Sequence, residues 1–196
     1  MLAPLPNEPE LLARCAKGDA DAFGAFVSHY ENTIFNLVFR MISRREDARD
    51  VTQEVFVKAF RNIGSFEGRS SFATWLYSIA VNRSLSERRR RAAKSRRSEV
   101  QMSTLGNEDA GRPYDPPGGE PAPDARLRSD ETRRQIEQAV AALDDDHRAV
   151  VVLRDIEGLD YESIGKALGC SKGTVRSRLH RARVELRKKL RPLLAR

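Results

Sequence analysis

At 196 residues, with 40% hydrophobic and 32% charged residues, the chain can bury one ordinary core or two small ones and is too apolar to be disordered throughout. No apolar run approaches the roughly 20 residues needed to cross a bilayer, and the opening MLAPLPNEPELLARC has neither a basic leader nor an apolar stretch, so no membrane insertion is expected and a cytoplasmic location is. The net charge of +7 is concentrated: residues 83–97 carry eight cations against one anion and residues 171–196 ten against one, leaving the rest at −9, a distribution that suits two contacts on one phosphate backbone.

In chain order, a short helix over Glu10 to Lys17 precedes a long one capped by Asp19 or Asp21. The long helix places Phe23, Phe26, Val27, Tyr30, Ile34, Leu37, Val38 and Met41 on one face at the three-and-four spacing of a buried stripe. The next begins near Arg45, turns Ala48, Val51, Val55, Ala59 and Ile63 inward and stops at Gly64. A third, capped by Ser70 or Ser71, buries Phe72, Leu76 and Ile79 before running into the arginines. Trp75 shares that face, so it reads either as core or as a ring that stacks on a base. Residues 1–98 therefore form a helical bundle.

Apolar periodicity then stops, and five of the nine prolines fall between Ser103 and Asp124 among glycines and acidic residues. Such composition buries too little apolar surface to offset ordering entropy, which makes 99–125 a flexible linker. Residues 126–196 read as four helices, about Leu127 to Leu143, Asp145 to Ile156, Tyr161 to Leu168 and Lys172 to Leu190, with Asp160 and Ser171 as caps and Pro192 as the stop. The fold class expected is all-α, two small helical domains joined by a flexible linker.

The last two helices have the layout of a helix-turn-helix. Gly169 sits in the turn, where positive φ is required, and Gly165 lets the helices approach. Ile164, Leu168, Val175 and Leu179 close the small core between them, with Ala182 and Leu186 continuing the stripe. This leaves Lys172, Thr174, Arg176, Ser177, Arg178, His180, Arg181 and Arg183 to face DNA, the early ones reaching base edges in a major groove and the flanking cations meeting phosphate.

Asp47, Asp50 and Glu54 recur with Gln53 on one face of the second long helix, a stripe that reads as a solvated surface or as a contact for a basic protein partner. Cys15 and Cys170 are far apart, with no CxxC pair and no histidine cluster, so no metal, cofactor or catalytic residue is expected. No phosphate-binding GxxxxGK[ST] loop is present either.

Three segments in order resemble the extracytoplasmic-function sigma factors of bacteria: EDARDVTQEVFVKAFRNIGSF (Glu46 to Phe66), FATWLYSIAVNRSLSERRRR (Phe72 to Arg91) and LRDIEGLDYESIGKALGCSKGTVRSRLHRARVELRKKL. Leu143-Asp144-Asp145 stands where that family often has leucine followed by proline, and Gly165 where it usually has alanine. The resemblance implies that residues 1–98 are region 2, which docks through Asp47, Asp50, Gln53 and Glu54 on the clamp helices of the largest subunit of core RNA polymerase. It further implies that region 2 melts the minus-10 element, with Phe66, Arg69, Ser70, Ser71, Trp75, Asn82, Arg83, Arg88, Arg89 and Arg90 on DNA. Residues 126–196 would be region 4, on the minus-35 duplex and the polymerase flap. The same likeness implies an anti-sigma factor as partner and lobes that hide their DNA-binding surface until polymerase parts them. The competing readings are a free-standing dimeric helix-turn-helix regulator of operator DNA and a nucleic-acid enzyme. The first leaves the acidic stripe and the first basic patch without a role, and the second lacks a metal cluster.

Overall fold

The computed structural model describes residues 4–101 and 123–194. Within them the chain is helical and no strand occurs, as the periodicity demands. The first lobe holds α1 (Glu8–Ala16), α2 (Ala20–Ile42), α3 (Arg45–Asn62) with a closing 3-10 turn (Ile63–Ser65), and α4 (Phe72–Gln101). The second holds α5 (Pro123–Ala141), α6 (Asp145–Val151), which runs on as a π-helical turn (Val152–Ile156), α7 (Tyr161–Leu168) and α8 (Lys172–Leu194). Helix enters both ends of the 99–125 stretch, and residues 102–122, the Pro/Gly-rich linker of the sequence reading, lie outside the described residues.

Caps fix the starts. Asp19, not Asp21, caps α2, its Oδ1 accepting the Ala22 N–H at 3.0 Å. Ser71, not Ser70, caps α4 through the Thr74 N–H at 3.1 Å. Asp144 caps α6 (His147 N–H, 2.8 Å), Asp160 caps α7 (Glu162 and Ser163 N–H, both 2.8 Å) and Ser171 caps α8 (Thr174 N–H, 3.1 Å). Each such bond satisfies an orphan donor at a helix start and contributes about 1 kcal/mol. Helix α8 continues past Pro192, against the expected stop. In a final turn the missing proline N–H forfeits a single backbone bond, so the helix survives there.

Apolar side chains of α2, α3 and α4 meet around an aromatic cluster in which the Phe26 and Phe72 rings lie 4.4 Å apart and Phe23 faces Phe60 at 5.1 Å. Every residue of the predicted α2 stripe is buried except Val27, which packs against the core from its edge. Tyr77 and Val81, off the predicted face of α4, are fully buried as well. The reason is tertiary: the second lobe packs against α4, chiefly through α7, with Glu157 beside Tyr77, and one contiguous apolar cluster spans both lobes.

Candidate nucleic-acid and partner interfaces

The helix-turn-helix is built as its sequence requires. Gly169 adopts φ 63°, and a Cβ on Gly165 would lie 2.8 Å from the Cys170 carbonyl, so the turn backbone crosses directly over that position. Ile164, Val175, Leu179 and Ala182 are buried, with Leu168 and Leu186 against their edge. On the outer side of α8, Lys172, Arg176, Ser177, His180 and Arg181 are exposed. The Ser177 hydroxyl donates to the Thr174 carbonyl at 3.0 Å, and the other three residues of the predicted set also have internal partners. The Thr174 hydroxyl sits 2.9 Å from the Ser171 cap, Arg178 pairs with Asp146 at 2.5 Å, and Arg183 grips Asp155 with two bonds of 3.2 and 2.5 Å. These pairs tie the flanks of the helix to its own lobe and leave Lys172, Arg176, His180 and Arg181 as its outward cationic face.

In the first lobe, Phe66 and Trp75 pack together at 5.4 Å and lean on Phe72, each partly exposed. They form a ledge at the rim of the aromatic core. Arg69 is exposed and pairs with Glu67, and the partly buried Ser70 closes the same loop beside the cap Ser71. Arg89 and Arg90 are exposed on α4, Arg90 also holding Glu87 at 2.7 Å. Asn82, Arg83 and Arg88 are engaged elsewhere: Asn82 donates to the Ala167 carbonyl of α7 at 3.1 Å, Arg83 bonds Glu54, and Arg88 bonds Asp145 and the Met41 carbonyl, the latter at 3.1 Å.

On α3, Asp50, Gln53 and Glu54 are exposed and Asp47 is partly so. Val57, 49% exposed, continues the face one turn on. The face is thus acidic with one apolar side chain among its carboxylates. The sequence reading passed over Val57, although its spacing from Asp50 and Glu54 places it on their face.

The lobes meet along a polar seam. Arg148, 1% exposed, donates to the carbonyls of Val140 (3.2 Å), Leu143 (3.0 Å) and Ala141 in its own lobe and to Met41 (2.7 Å) in the other. Burial pushes its pKa down to about 10, with Arg88 adding repulsion, so it stays cationic at neutral pH. Glu157 is buried facing Arg40 at 3.7 Å, and burial raises its carboxyl above the usual range. Tyr77 lies opposite, its hydroxyl also raised by burial and then by the Glu157 charge. One sequence signal pointed here: Arg148 stands directly before the apolar run Ala149 to Leu153, and Glu157 follows four residues after it.

Cys15 is buried and Cys170 partly buried, both free. Asp144, His147 and Glu185 approach one another, with the His147 ring 2.8 Å from Asp144 and 3.8 Å from Glu185. Asp144 is already the α6 cap and Glu185 lies 3.6 Å from Lys189, so the group reads as a helix start facing its own cap rather than a metal centre. No described helix is long and apolar enough to cross a membrane.

Residues 26–94 match the model of Sigma-70 region 2 and residues 133–186 that of Sigma-70, region 4. The ECF RNA polymerase sigma-E factor of Haemophilus influenzae is 37% identical over 191 residues, covering 96% of this chain and 97% of the relative. The RNA polymerase sigma-H factor of Pseudomonas aeruginosa is 36% identical over 191 residues, 96% of each chain. Among solved structures, the fold matches the sigma factor RpoE from Bartonella quintana, in complex with the anti-sigma factor NepR, at a TM-score of 0.67 and 24% identity over 86% of this chain and 96% of that one. It matches CnrH, in complex with the cytosolic domain of CnrY, at 0.62 and 24% over 93% and 96%.

Proposed function

Since the chain belongs to the extracytoplasmic-function sigma factors of the sigma-70 family, we propose that it directs promoter-specific initiation by dividing the work between its lobes. Residues 1–98 dock on the clamp helices of core RNA polymerase and melt the minus-10 element. Residues 126–196 hold the minus-35 duplex beside the flap, and residues 99–125 span between. The protein works in the cytoplasm, and catalysis stays with the polymerase.

One observation carries this reading. The chain places an exposed acidic face bearing Val57 on one lobe and an exposed cationic face of α8, with Lys172, Arg176 and Arg181, on the other. A free-standing operator binder uses only the second. Docking is assigned to Asp50, Gln53 and Glu54 directly, with Asp47 set behind them.

For melting, the Phe66–Trp75 ledge supplies apolar faces for an unstacked base, with Arg69, Ser70 and Ser71 at its edge. Base–aromatic stacking is worth about 1–3 kcal/mol, enough to hold a base once polymerase has begun to part the strands. Arg89 and Arg90 extend this track along the backbone. Asn82 and Arg88 join the minus-10 set only when the second lobe moves off, because in the docked arrangement they bond Ala167 and Asp145. The docked form is thus the resting form, polymerase separates the lobes, and an anti-sigma factor that clamps them together keeps the factor silent.

On the minus-35 duplex, Arg176→Ala and Arg181→Ala should each lower affinity for the cognate sequence by about 1–3 kcal/mol while changing nonspecific binding little. Lys188→Ala should weaken all sequences alike and flatten the salt dependence. Competition with scrambled duplexes distinguishes the two classes, and equal losses on every sequence would refute base reading.

The functional test mixes the purified chain with core RNA polymerase from bacteria, follows co-elution, and assays run-off transcription from a promoter library. Co-elution with new sequence-specific start sites is the expected result. Failure with an active core enzyme, together with stable dimeric binding to a palindromic duplex, would replace this reading with the free-standing regulator.

A further inference from the structure

We infer that Arg83 and Arg91 act on polymerase binding rather than on DNA, as positioning residues that fix the Glu54 and Asp47 carboxylates of the α3 face. The inference rests on the assignment of that face to polymerase. Both arginines belong to the basic stretch of α4, whose charge points all its cations at phosphate when read in sequence alone. In the fold they lie across α3. Arg83 sends both Nε and Nη2 to one oxygen of Glu54, and its side chain is only 29% exposed. The other oxygen of Glu54 is left for a partner, and that side chain remains half exposed.

Arg91 reaches Asp47 with one arm and Glu87 with the other, the latter at 3.0 Å, and is 27% exposed. Glu87, 4% exposed, is held also by two bonds from Arg90, and those bonds keep its carboxyl below the usual range. Arg44 closes the far end at 3.4 Å from Asp47. The result is a ladder of alternating charges, Arg44, Asp47, Arg91, Glu87, Arg90, that crosses from α3 to α4. Burial lowers the pKa of Arg91, a penalty that a guanidinium aimed at phosphate in solvent would not incur.

Pinning has a thermodynamic consequence for binding. An exposed glutamate loses rotamer freedom when a partner captures it, and a side chain already fixed has lost it beforehand. The same two arginines offset some negative charge on the face, which works against long-range attraction. A preorganising role predicts that their removal weakens association, whereas simple neutralisation predicts that removal strengthens it.

The test titrates full-length Arg83→Ala/Arg91→Ala, the matching double-lysine variant and Asp50→Lys into core RNA polymerase and records run-off transcription. For the double-alanine variant we expect the half-saturating concentration to rise about fivefold, the order expected of two half-exposed ion pairs, with the plateau unchanged. The lysine variant should recover part of the loss, and if the alanine variant fails to fold, the same split is read from the lysine one. A lowered plateau at unchanged half-saturation would make these residues DNA ligands and overturn the inference. An unchanged or lower half-saturating concentration, with Asp50→Lys still abolishing association, would overturn it while sparing the docking assignment. If Asp50→Lys itself changes nothing, the docking assignment falls first.

Discussion

Reversing two charges on α3, Asp50→Lys with Glu54→Lys, should abolish association with core RNA polymerase and leave minus-35 duplex binding by the same full-length protein unchanged. Both side chains are exposed, so the change costs little in folding. Like charges forced together at an interface cost several kcal/mol, and two such reversals correspond to a loss of about a thousandfold in affinity. Asp50→Lys alone is the cleaner half of the test. Asp50 makes no ion pair among the described residues, whereas Glu54→Lys also sets a lysine against Arg83. Competition against a labelled wild-type factor reads the loss directly, and undiminished association would sink the docking assignment.

The sequence was legible wherever one face of a helix decides the answer. The stripes of α2 and α3, the caps at Asp160 and Ser171 and the glycine turn of the helix-turn-helix all follow from local spacing, because each is set by the period or the turn of its own segment. What spacing could not supply is the other lobe. Tyr77 reads as an off-face residue on α4 and is fully buried, with Glu157 of the second lobe beside its hydroxyl. Arg88 reads as one more cation for phosphate, yet Asp145, 57 residues away, takes its guanidinium.

The same limit applies to the candidate site. A run of arginines gives charge without direction, and direction is what separates a DNA ligand from a brace. Arg83, Arg88 and Arg91 turn to carboxylates of α3 and α6, while Arg89 stays exposed. The resemblance to sigma factors supplied the partners, since an acidic stripe alone does not name what binds it. Spacing puts Val57 on the face of Asp50 and Glu54, and the fold adds that it is left about half exposed there, at 49%.

Arg148→Met should both destabilise the second lobe and release the first. The guanidinium serves four carbonyls at the C-terminal ends of two helices, Val140 and Ala141 in the last turn of α5, Leu143 just after it and Met41 near the end of α2. Carbonyls in a last helical turn lack the full set of intrahelical partners, and the negative end of each helix dipole favours a cation. Methionine fills much of the same space and donates nothing, so the Ala141 and Leu143 carbonyls lose their donor at about 1–3 kcal/mol each before water enters, whereas Val140 still accepts from the Leu143 N–H and Met41 from Arg88, both at 3.1 Å. A net loss of about 3 kcal/mol in a lobe of about 70 residues lowers its unfolding midpoint by more than about 10 °C. Asp145→Asn separates the two effects. It removes the carboxylate charge that pairs with Arg88 across the seam but leaves the α5 carbonyls served, so the lobes should loosen at nearly unchanged stability. Thermal unfolding reads the first effect and small-angle scattering the second. A compact particle for unaltered protein, expanding in both variants, is the expected result. An extended profile for the unaltered chain would contradict the docked resting form. Arg148→Met that lost stability yet stayed compact would confine that arginine to bracing its own lobe.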